Sequence, residues 1–198
     1  MLVPLLMTIP ALLASPGLHP PPPIEFRQEI VGDFSAHEYA VLAAFDRSVQ
    51  DYAALHRRLA RLTPRLQVTA DPVQLRGAVD ALGNEIRLAR QTAQVGTIFT
   101  PVVAILFRER IQTALWDFDV TVLMAEMEED AEPGAQRPVV NGRFPWGSGN
   151  AIWPSVLAAL PELPEELEYR FVGADLVLID VPADLVVDIL QDALTTGS

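Results

Sequence analysis

Apolar residues recur at every third or fourth position in three stretches of the first two-thirds of the chain, which is the spacing of one buried helix face. The first stretch follows Ser35 and Glu38, which are placed as a capping box, and it stops at Pro64. Because His56 lies on this stripe, we predict that its ring is enclosed between helices. The stripe consists of Leu42, Phe45, Val49, Tyr52, Leu55 or His56, Leu59 and Leu62.

Two further helices have equally clear starts. Asp71 and Thr100 are each followed by a proline, the order expected of an N-cap and the first helical position. The second helix is predicted to close at Gly96 and the third to run to about Glu129. Short links between three helices of this length predict an antiparallel three-helix bundle. The second stripe is Leu75, Val79, Leu82, Ile86, Ala89 and Ala93, and the third is Val103, Phe107, Ile111, Ala114, Phe118, Val122 and Ala125.

The C-terminal third has a different pattern. The segment WPSVLAALPELP predicts a short helix, and LEYRFVGADLVLIDV alternates around Gly173 as a β-hairpin does. Asp180 and Asp184 flank Pro182 as first-turn caps, so ADLVVDILQDAL is predicted to be a last helix. A lone hairpin is marginal in water and must pack on the helices. The predicted fold is mainly α: an antiparallel three-helix bundle with a C-terminal β-hairpin and short helices packed on it.

The N-terminal sequence MLVPLLMTIPALLASPG has the short apolar core and small-residue exit of a secretory signal peptide. We predict a signal peptide at 1–14, a mature start near Ser15, a proline-rich spacer at 15–24 and a single domain at 25–198. The predicted location is periplasmic or secreted, with no stable membrane span after cleavage. Because a basic n-region is missing, an ordinary apolar strand is the alternative interpretation of this segment.

The negative charge is concentrated at one end of the chain. Of the net charge of −12, almost all arises in residues 126–198, which hold 14 acidic residues and three arginines. Such a surface repels nucleic acid and anionic lipid, so neither is an expected partner. A basic protein that binds the acidic C-terminal third fits better.

Candidate chemistry is sparse in this sequence. His37-Glu38 begins a zinc-protease motif, but Val41 stands where the second histidine would be. Asp117 and Asp119 face different sides of a helix, and the acidic run 126–130 lies at a helix C-terminus, where a solvated surface is the usual outcome. No cysteine is present. We therefore predict no catalytic residues, no metal ligands and no cofactor.

The segment VVNGRFPWGSGNAIWPS, residues 139–155, concentrates aromatic, glycine and proline residues. One interpretation is structural: the aromatic side chains pin an irregular loop to the helices. The other is functional: Arg143, Asn150 and one exposed tryptophan line a groove. We expect Trp153 to be the anchor and Trp146 to be the more exposed of the pair. The candidate binding residues are Asn141, Arg143, Phe144, Trp146, Asn150 and Trp153.

Several of these segments carry a resemblance. FTPVVAILFRERI, the stretch from NGRFPWGSGN to DLVVDIL, and the proline spacer together resemble a family of uncharacterised exported bacterial proteins with no assigned activity. The hairpin PEELEYRFVGADLVLI is similar to the small domain of RcnB-type periplasmic proteins of nickel and cobalt homeostasis. The first resemblance implies export and a single fold, and it supplies no catalytic residues.

These observations favour an exported, non-catalytic interaction or binding module. A hydrolase-like enzyme that uses carboxylates and Arg143 is one alternative, and a periplasmic metal or stress-response factor is another. Convergent polar groups in a pocket would favour the enzyme. Histidine or carboxylate ligands that converge on one point would favour the metal factor, and an exposed aromatic patch would favour the binding module.

Overall fold

A computed structural model describes residues 36–64, 71–129 and 136–195. The predicted signal peptide, the proline spacer and the Ser35 cap lie outside these ranges. The protein is mainly helical and carries a C-terminal three-stranded antiparallel sheet. The helices are α1 (Ala36–Ala60), α2 (Pro72–Ala89), α3 (Pro101–Ala114), α4 (Val120–Glu129) and α5 (Pro154–Ala159), and the strands are β1 (Leu167–Val172), β2 (Asp175–Asp180) and β3 (Leu185–Leu190).

The helical part packs around α1, which contacts both α2 and α3, while α3 also contacts α5. Three rings fill the space between these helices: the Phe45 centroid lies 4.8 Å from that of Phe107 and 6.0 Å from that of Phe99. Asp71 caps α2 as predicted, because its side chain accepts a hydrogen bond from the amide of Val73 at 2.9 Å. That α1, α2 and α3 form an antiparallel bundle stays a prediction.

The predicted closure of α2 at Gly96 is wrong, since the helix ends at Ala89. The amides of Gly96, Ile98 and Phe99 donate to the carboxylate of Asp188 in β3 instead of to helical carbonyls. Of the predicted stripe, Leu82 and Ile86 are buried, whereas Leu75 is exposed. The other buried residues of α2 are Ala78 and Gly83, which the prediction did not include. A Cβ on Gly83 would lie 2.8 Å from the carbonyl oxygen of Ala183, so glycine permits the close approach of α2 to the β2–β3 turn.

The third predicted helix is two helices. α3 ends at Ala114, and Asp119 starts α4 because its carboxylate accepts hydrogen bonds from the amides of Thr121 and Val122. The predicted stripe is confirmed for Val103, Phe107 and Ile111, which are buried in α3. Residues 115–119 lie outside both helices, and the predicted continuation of the stripe through Phe118 and Val122 is wrong. Both side chains are 52% exposed.

The predicted hairpin is confirmed: β1 pairs antiparallel with β2 across a turn in which Gly173 has a φ of 56°. The predicted last helix is wrong, because the segment ADLVVDILQDAL contains β3, which pairs antiparallel with β2. Asp180 caps the turn between these strands rather than a helix, since it accepts a hydrogen bond from the amide of Ala183 at 3.0 Å. Asp184 has a φ of 49°, a left-handed conformation that continues no right-handed helix. Every residue of β3 is buried, and its sequence is apolar except for Asp188, so it resembles the sequence of a buried helix.

Both faces of the sheet are covered. On the inner face, side chains such as Leu176, Leu178 and Leu185 belong to the same core as α1 and α3. On the outer face, a second cluster forms around Phe144, a residue of the loop between α4 and α5. We define this outer cluster by Val177, Ile179, Val186 and Ile189 of the sheet together with Phe144.

Candidate functional site

The loop of residues 139–153 crosses the outer face of the sheet and is attached at both edges. At the β3 edge, the Asn141 amide donates to the Val186 carbonyl and the Val186 amide donates to Gly142, both at 2.9 Å. At the β1 edge, Asn150 and Phe171 exchange backbone hydrogen bonds of 2.7 and 3.1 Å. Between these attachments the Phe144 ring is buried over the outer cluster. The loop therefore serves as the cover of the sheet.

Asn141 joins the loop to the end of α2. Its φ of 62° is left-handed, a conformation that asparagine tolerates better than most residues. Its side-chain amide donates to the Arg90 carbonyl at 2.7 Å, and its own carbonyl accepts from Arg87 at 2.9 Å. The Arg90 guanidinium in turn donates to the Asn141 side chain and to the Val187 carbonyl. Burial lowers the pKa of Arg90 from its ordinary value. Asn141, a predicted binding residue, is thus engaged inside the fold.

Trp146 lies in a network of charged side chains at the surface. Its indole nitrogen donates to Asp184 at 2.8 Å, and Arg143 forms ion pairs with Asp184 and Asp80. The Arg170 guanidinium carbon lies 5.9 Å from the centre of the Trp146 ring, and the Phe144 ring packs edge-on at 4.9 Å. The indole of Trp146 and the guanidinium groups of Arg143 and Arg170 therefore make their contacts within the protein.

The predicted order of exposure of the two tryptophans is confirmed. Trp146 is 48% exposed, whereas Trp153 is partly buried and packs against Phe171 with ring centres 5.2 Å apart. The structure brings Arg143, Phe144 and Trp146 together at one end of the loop. Asn150 and Trp153 lie at the other end, next to β1.

His56 is buried, as predicted, and belongs to a polar cluster in the core. Its Nδ1 lies 2.5 Å from Oδ2 of Asp180, and the Tyr52 hydroxyl donates to the same oxygen at 2.7 Å. Burial and the negative charge of Asp180 raise the pKa of Tyr52 well above its ordinary value, so the phenol stays protonated and donates. All three residues are buried, with Tyr52 and His56 5% exposed and Asp180 0% exposed. The cluster fixes α1 to the end of β2.

Arg57, one residue further along α1, pairs with Glu166 in front of β1. Its Nε donates to Oε1 and its Nη2 donates to Oε2, the second bond being 2.9 Å long. Burial raises the pKa of Glu166, but the hydrogen bonds from Arg57, a backbone hydrogen bond and the charges of Arg57 and His56 together hold this pKa below its ordinary 4.5. A carboxylate with a lowered pKa stabilises the fold above the unfolded-state value, and the contribution is lost as pH falls through the folded-state value.

We therefore expect Arg57→Met to lower the melting temperature by an amount that is constant from about pH 7 to about pH 5 and shrinks below pH 4.5. Thermal melts of the parent and the variant at a series of pH values measure this difference in melting temperature. Arg58→Met, at the neighbouring exposed position, is the matched control, and its difference from the parent is expected not to shrink at low pH. A gap that is the same at about pH 3 as at about pH 7 would contradict the role given to this ion pair.

A surface that the sequence interpretation missed lies between α3 and α4. Trp116 is 86% exposed, and Phe118 and Val122, which follow within six residues along the chain, are each 52% exposed. We call Trp116, Phe118 and Val122 the aromatic corner. The signal for it was Asp119, a helix cap inside the predicted stripe, which ends one helix and starts another. Exposed carboxylates accompany the corner: Asp117, Asp119, Glu126, Glu128 and Glu129.

A scan against protein-family models finds no match, and searches of curated proteins and of solved structures find none either. The resemblances to exported bacterial proteins and to RcnB-type proteins stay predictions.

The described ranges were searched for metal ligands and for membrane-spanning helices. Within residues 36–64, 71–129 and 136–195, no three histidine or acidic side chains converge as metal ligands. Of the helices in these ranges, none combines the length and the apolar composition needed to cross a bilayer. The carboxylate of Asp188 accepts hydrogen bonds from backbone amides, among them its neighbour Ile189 and residues of the α2–α3 loop.

Proposed function

We propose that this protein is an exported, non-catalytic interaction module that binds a partner protein at the aromatic corner. The observation that carries the proposal is the 86% exposure of Trp116, a side chain that usually buries most of its surface. Exposed aromatic patches mark sites of interaction, and tryptophan is enriched among the residues that dominate binding energy. We further propose that α1, α2 and α3 form an antiparallel bundle that serves as the rigid scaffold for this corner.

The partner contact is assigned to the aromatic corner rather than to the loop of residues 139–153. Asn141 and Phe144 act in packing, and Arg143 and Trp146 share the carboxylate of Asp184. A partner would have to break these internal contacts before it gained its own. The aromatic corner requires no such exchange, since its side chains already face solvent.

The hydrolase alternative is less well supported. Arg143, its proposed cation, forms ion pairs with Asp80 and Asp184 at the surface. The most enzyme-like group of side chains, formed by Tyr52, His56 and Asp180, is enclosed in the core and links two elements of the fold. Neither arrangement presents a reactive group to a bound substrate.

Site-specific cross-linking in the native cells tests the proposal. Replacement of Phe118 by the photo-reactive amino acid benzoylphenylalanine is expected to yield a covalent adduct with one protein on illumination. The same amino acid at Leu88, a residue of α2 that is 61% exposed, is the control and is expected to yield none. If Phe118 gives no adduct, or if both positions give the same one, the aromatic corner is not the contact surface.

Trp116→Ala supplies the matching loss-of-function result. Because the indole is exposed, we expect the free energy of unfolding to change by no more than about 0.5 kcal/mol. The Phe118 adduct is expected to disappear in the Trp116→Ala background. Denaturant unfolding and quantification of the cross-link measure the two effects. A large loss of stability would instead make Trp116 a structural residue.

A further inference from the structure

We propose that the partner presents a basic segment to the aromatic corner, with a lysine or arginine side chain lying over the Trp116 indole and apolar side chains covering Phe118 and Val122. This inference rests on the proposed function, because it specifies the chemistry of the partner at the same surface.

The exposed ring of Trp116 has the chemistry to attract a cation. The face of an indole carries negative electrostatic potential and attracts a cation more strongly than the other aromatic side chains do. The same protein shows this pairing within its own fold, where the Arg170 guanidinium lies 5.9 Å from the centre of the Trp146 ring. Trp116, at 86% exposure, leaves such a position open to a cation from another molecule.

The charge of the surrounding residues favours a basic partner. Between Trp116 and Glu129 the chain has five acidic residues and no basic one. On α4, Val122 is followed at helical spacing by Glu126 and Glu129, so one face runs from an apolar end to an acidic end. A segment that combines apolar and basic side chains matches both ends of this face.

Charge also argues against two other occupants. An anionic membrane surface would be repelled by these carboxylates. A purely apolar segment would cover the aromatic side chains but would leave the acidic end of α4 without a counter-charge. A basic segment gains from both features, and the attraction also speeds the encounter of the two proteins.

A binding measurement with synthetic peptides tests the inference on the full chain. The probes are a labelled peptide that alternates arginine and leucine, a glutamate and leucine peptide of the same length, and an arginine and serine peptide. We expect the first to bind, the second to show no binding, and the third to bind at least about tenfold more weakly, because it lacks the apolar contacts. Fluorescence anisotropy gives the affinities.

Two variants and their controls locate the site. Trp116→Ala is expected to weaken binding of the arginine and leucine peptide by at least about tenfold, as the loss of a dominant contact residue does. Glu126→Gln combined with Glu129→Gln is expected to weaken it by about threefold and to reduce its salt dependence. Leu88→Ala and Glu162→Gln remove an exposed apolar and an exposed acidic side chain elsewhere and are expected to bind as the parent does.

Several results would overturn the inference. Equal binding of the arginine and glutamate peptides would show an apolar surface without charge preference, and binding that survives Trp116→Ala would show only general attraction to an acidic protein. A dimer that Trp116→Ala abolishes, or capture by neutral lipid vesicles that it abolishes, would assign the corner to a second copy or to a membrane. A Phe118 cross-link to residues 1–35 of the same chain would also overturn the inference, because the contact would then be intramolecular.

The cross-linked peptide separates this inference from the proposed function. Mass spectrometry of the Phe118 adduct is expected to find lysine or arginine next to the cross-linked position of the partner. An adduct with a neutral or acidic segment would leave the interaction module standing and refute the basic partner. The absence of any adduct would refute the interaction module itself.

Discussion

Replacing Asp188 by alanine is expected to lower the free energy of unfolding by about 3–5 kcal/mol, the cost of leaving several buried hydrogen-bonding groups without a partner. Asp188 is fully buried in β3. Its carboxylate accepts hydrogen bonds from the amides of Gly96, Ile98 and Phe99, at 2.8, 2.6 and 2.7 Å. Alanine would leave these amides without an acceptor in the interior. Urea or guanidinium unfolding, monitored by circular dichroism, measures the loss.

Two further variants show whether hydrogen bonding is the cause. Asp188→Asn keeps one acceptor oxygen and is expected to fall between the parent and Asp188→Ala. Glu162→Ala removes an exposed carboxylate and is expected to change stability by no more than about 0.5 kcal/mol. If the free energy of unfolding of Asp188→Ala lies within about 1 kcal/mol of the parent's, the hydrogen bonds from the α2–α3 loop to β3 contribute little to stability.

Replacing Phe144 by alanine is expected to lower the free energy of unfolding by a similar amount, about 3–5 kcal/mol. The ring is 4% exposed and covers the sheet residues of the outer cluster, so its removal leaves a cavity against side chains that are otherwise fully buried. Trp146→Ala is the matched control two residues away. Because that side chain is 48% exposed, its loss is expected to cost about 1 kcal/mol, the value of its hydrogen bond to Asp184.

Gly149→Ala probes the same contact from the other side. A Cβ at this position would collide with the Phe144 ring, and the strain is expected to cost about 1–3 kcal/mol. Combined with Phe144→Ala, the substitution should cost less than it does alone, because the ring that it displaces is gone. Thermal or denaturant unfolding of the single and double variants gives this coupling. Additive losses would show that the loop does not act through Phe144.

The sequence by itself determined the elements whose signals are local. Asp71 starts α2 through a hydrogen bond to an amide two residues away, and Gly173 closes a turn between strands that follow each other directly. His56 could be placed inside the fold because helical spacing fixes which residues share a face. Likewise, the flanking residues Pro145 and Gly147 were the basis for predicting that Trp146 is the more exposed of the two tryptophans.

Of the candidate site, the sequence located the unusual loop but did not reveal its role. Its aromatic and glycine residues indicated an ordered loop in either interpretation. Phe144 covers a sheet that includes β3, and because β3 was predicted to be a helix, this role of Phe144 could not be predicted. The aromatic corner was missed for a related reason. The apolar spacing of α3 continues through Phe118, but spacing alone does not show whether the rest of the fold offers a surface for these side chains to pack against.

The tertiary structure alone decided the conformation of residues 185–190. Both a buried helix and a strand buried on two faces have an almost continuous apolar sequence, so periodicity does not distinguish them. The strand is favoured by pairing with β2, by the cover that Phe144 provides, and by the amides of the α2–α3 loop that satisfy Asp188. These partners lie up to 92 residues away along the chain. Local propensity sums contributions from neighbours in sequence, whereas the free energy of this strand comes from contacts that exist only once the chain has folded.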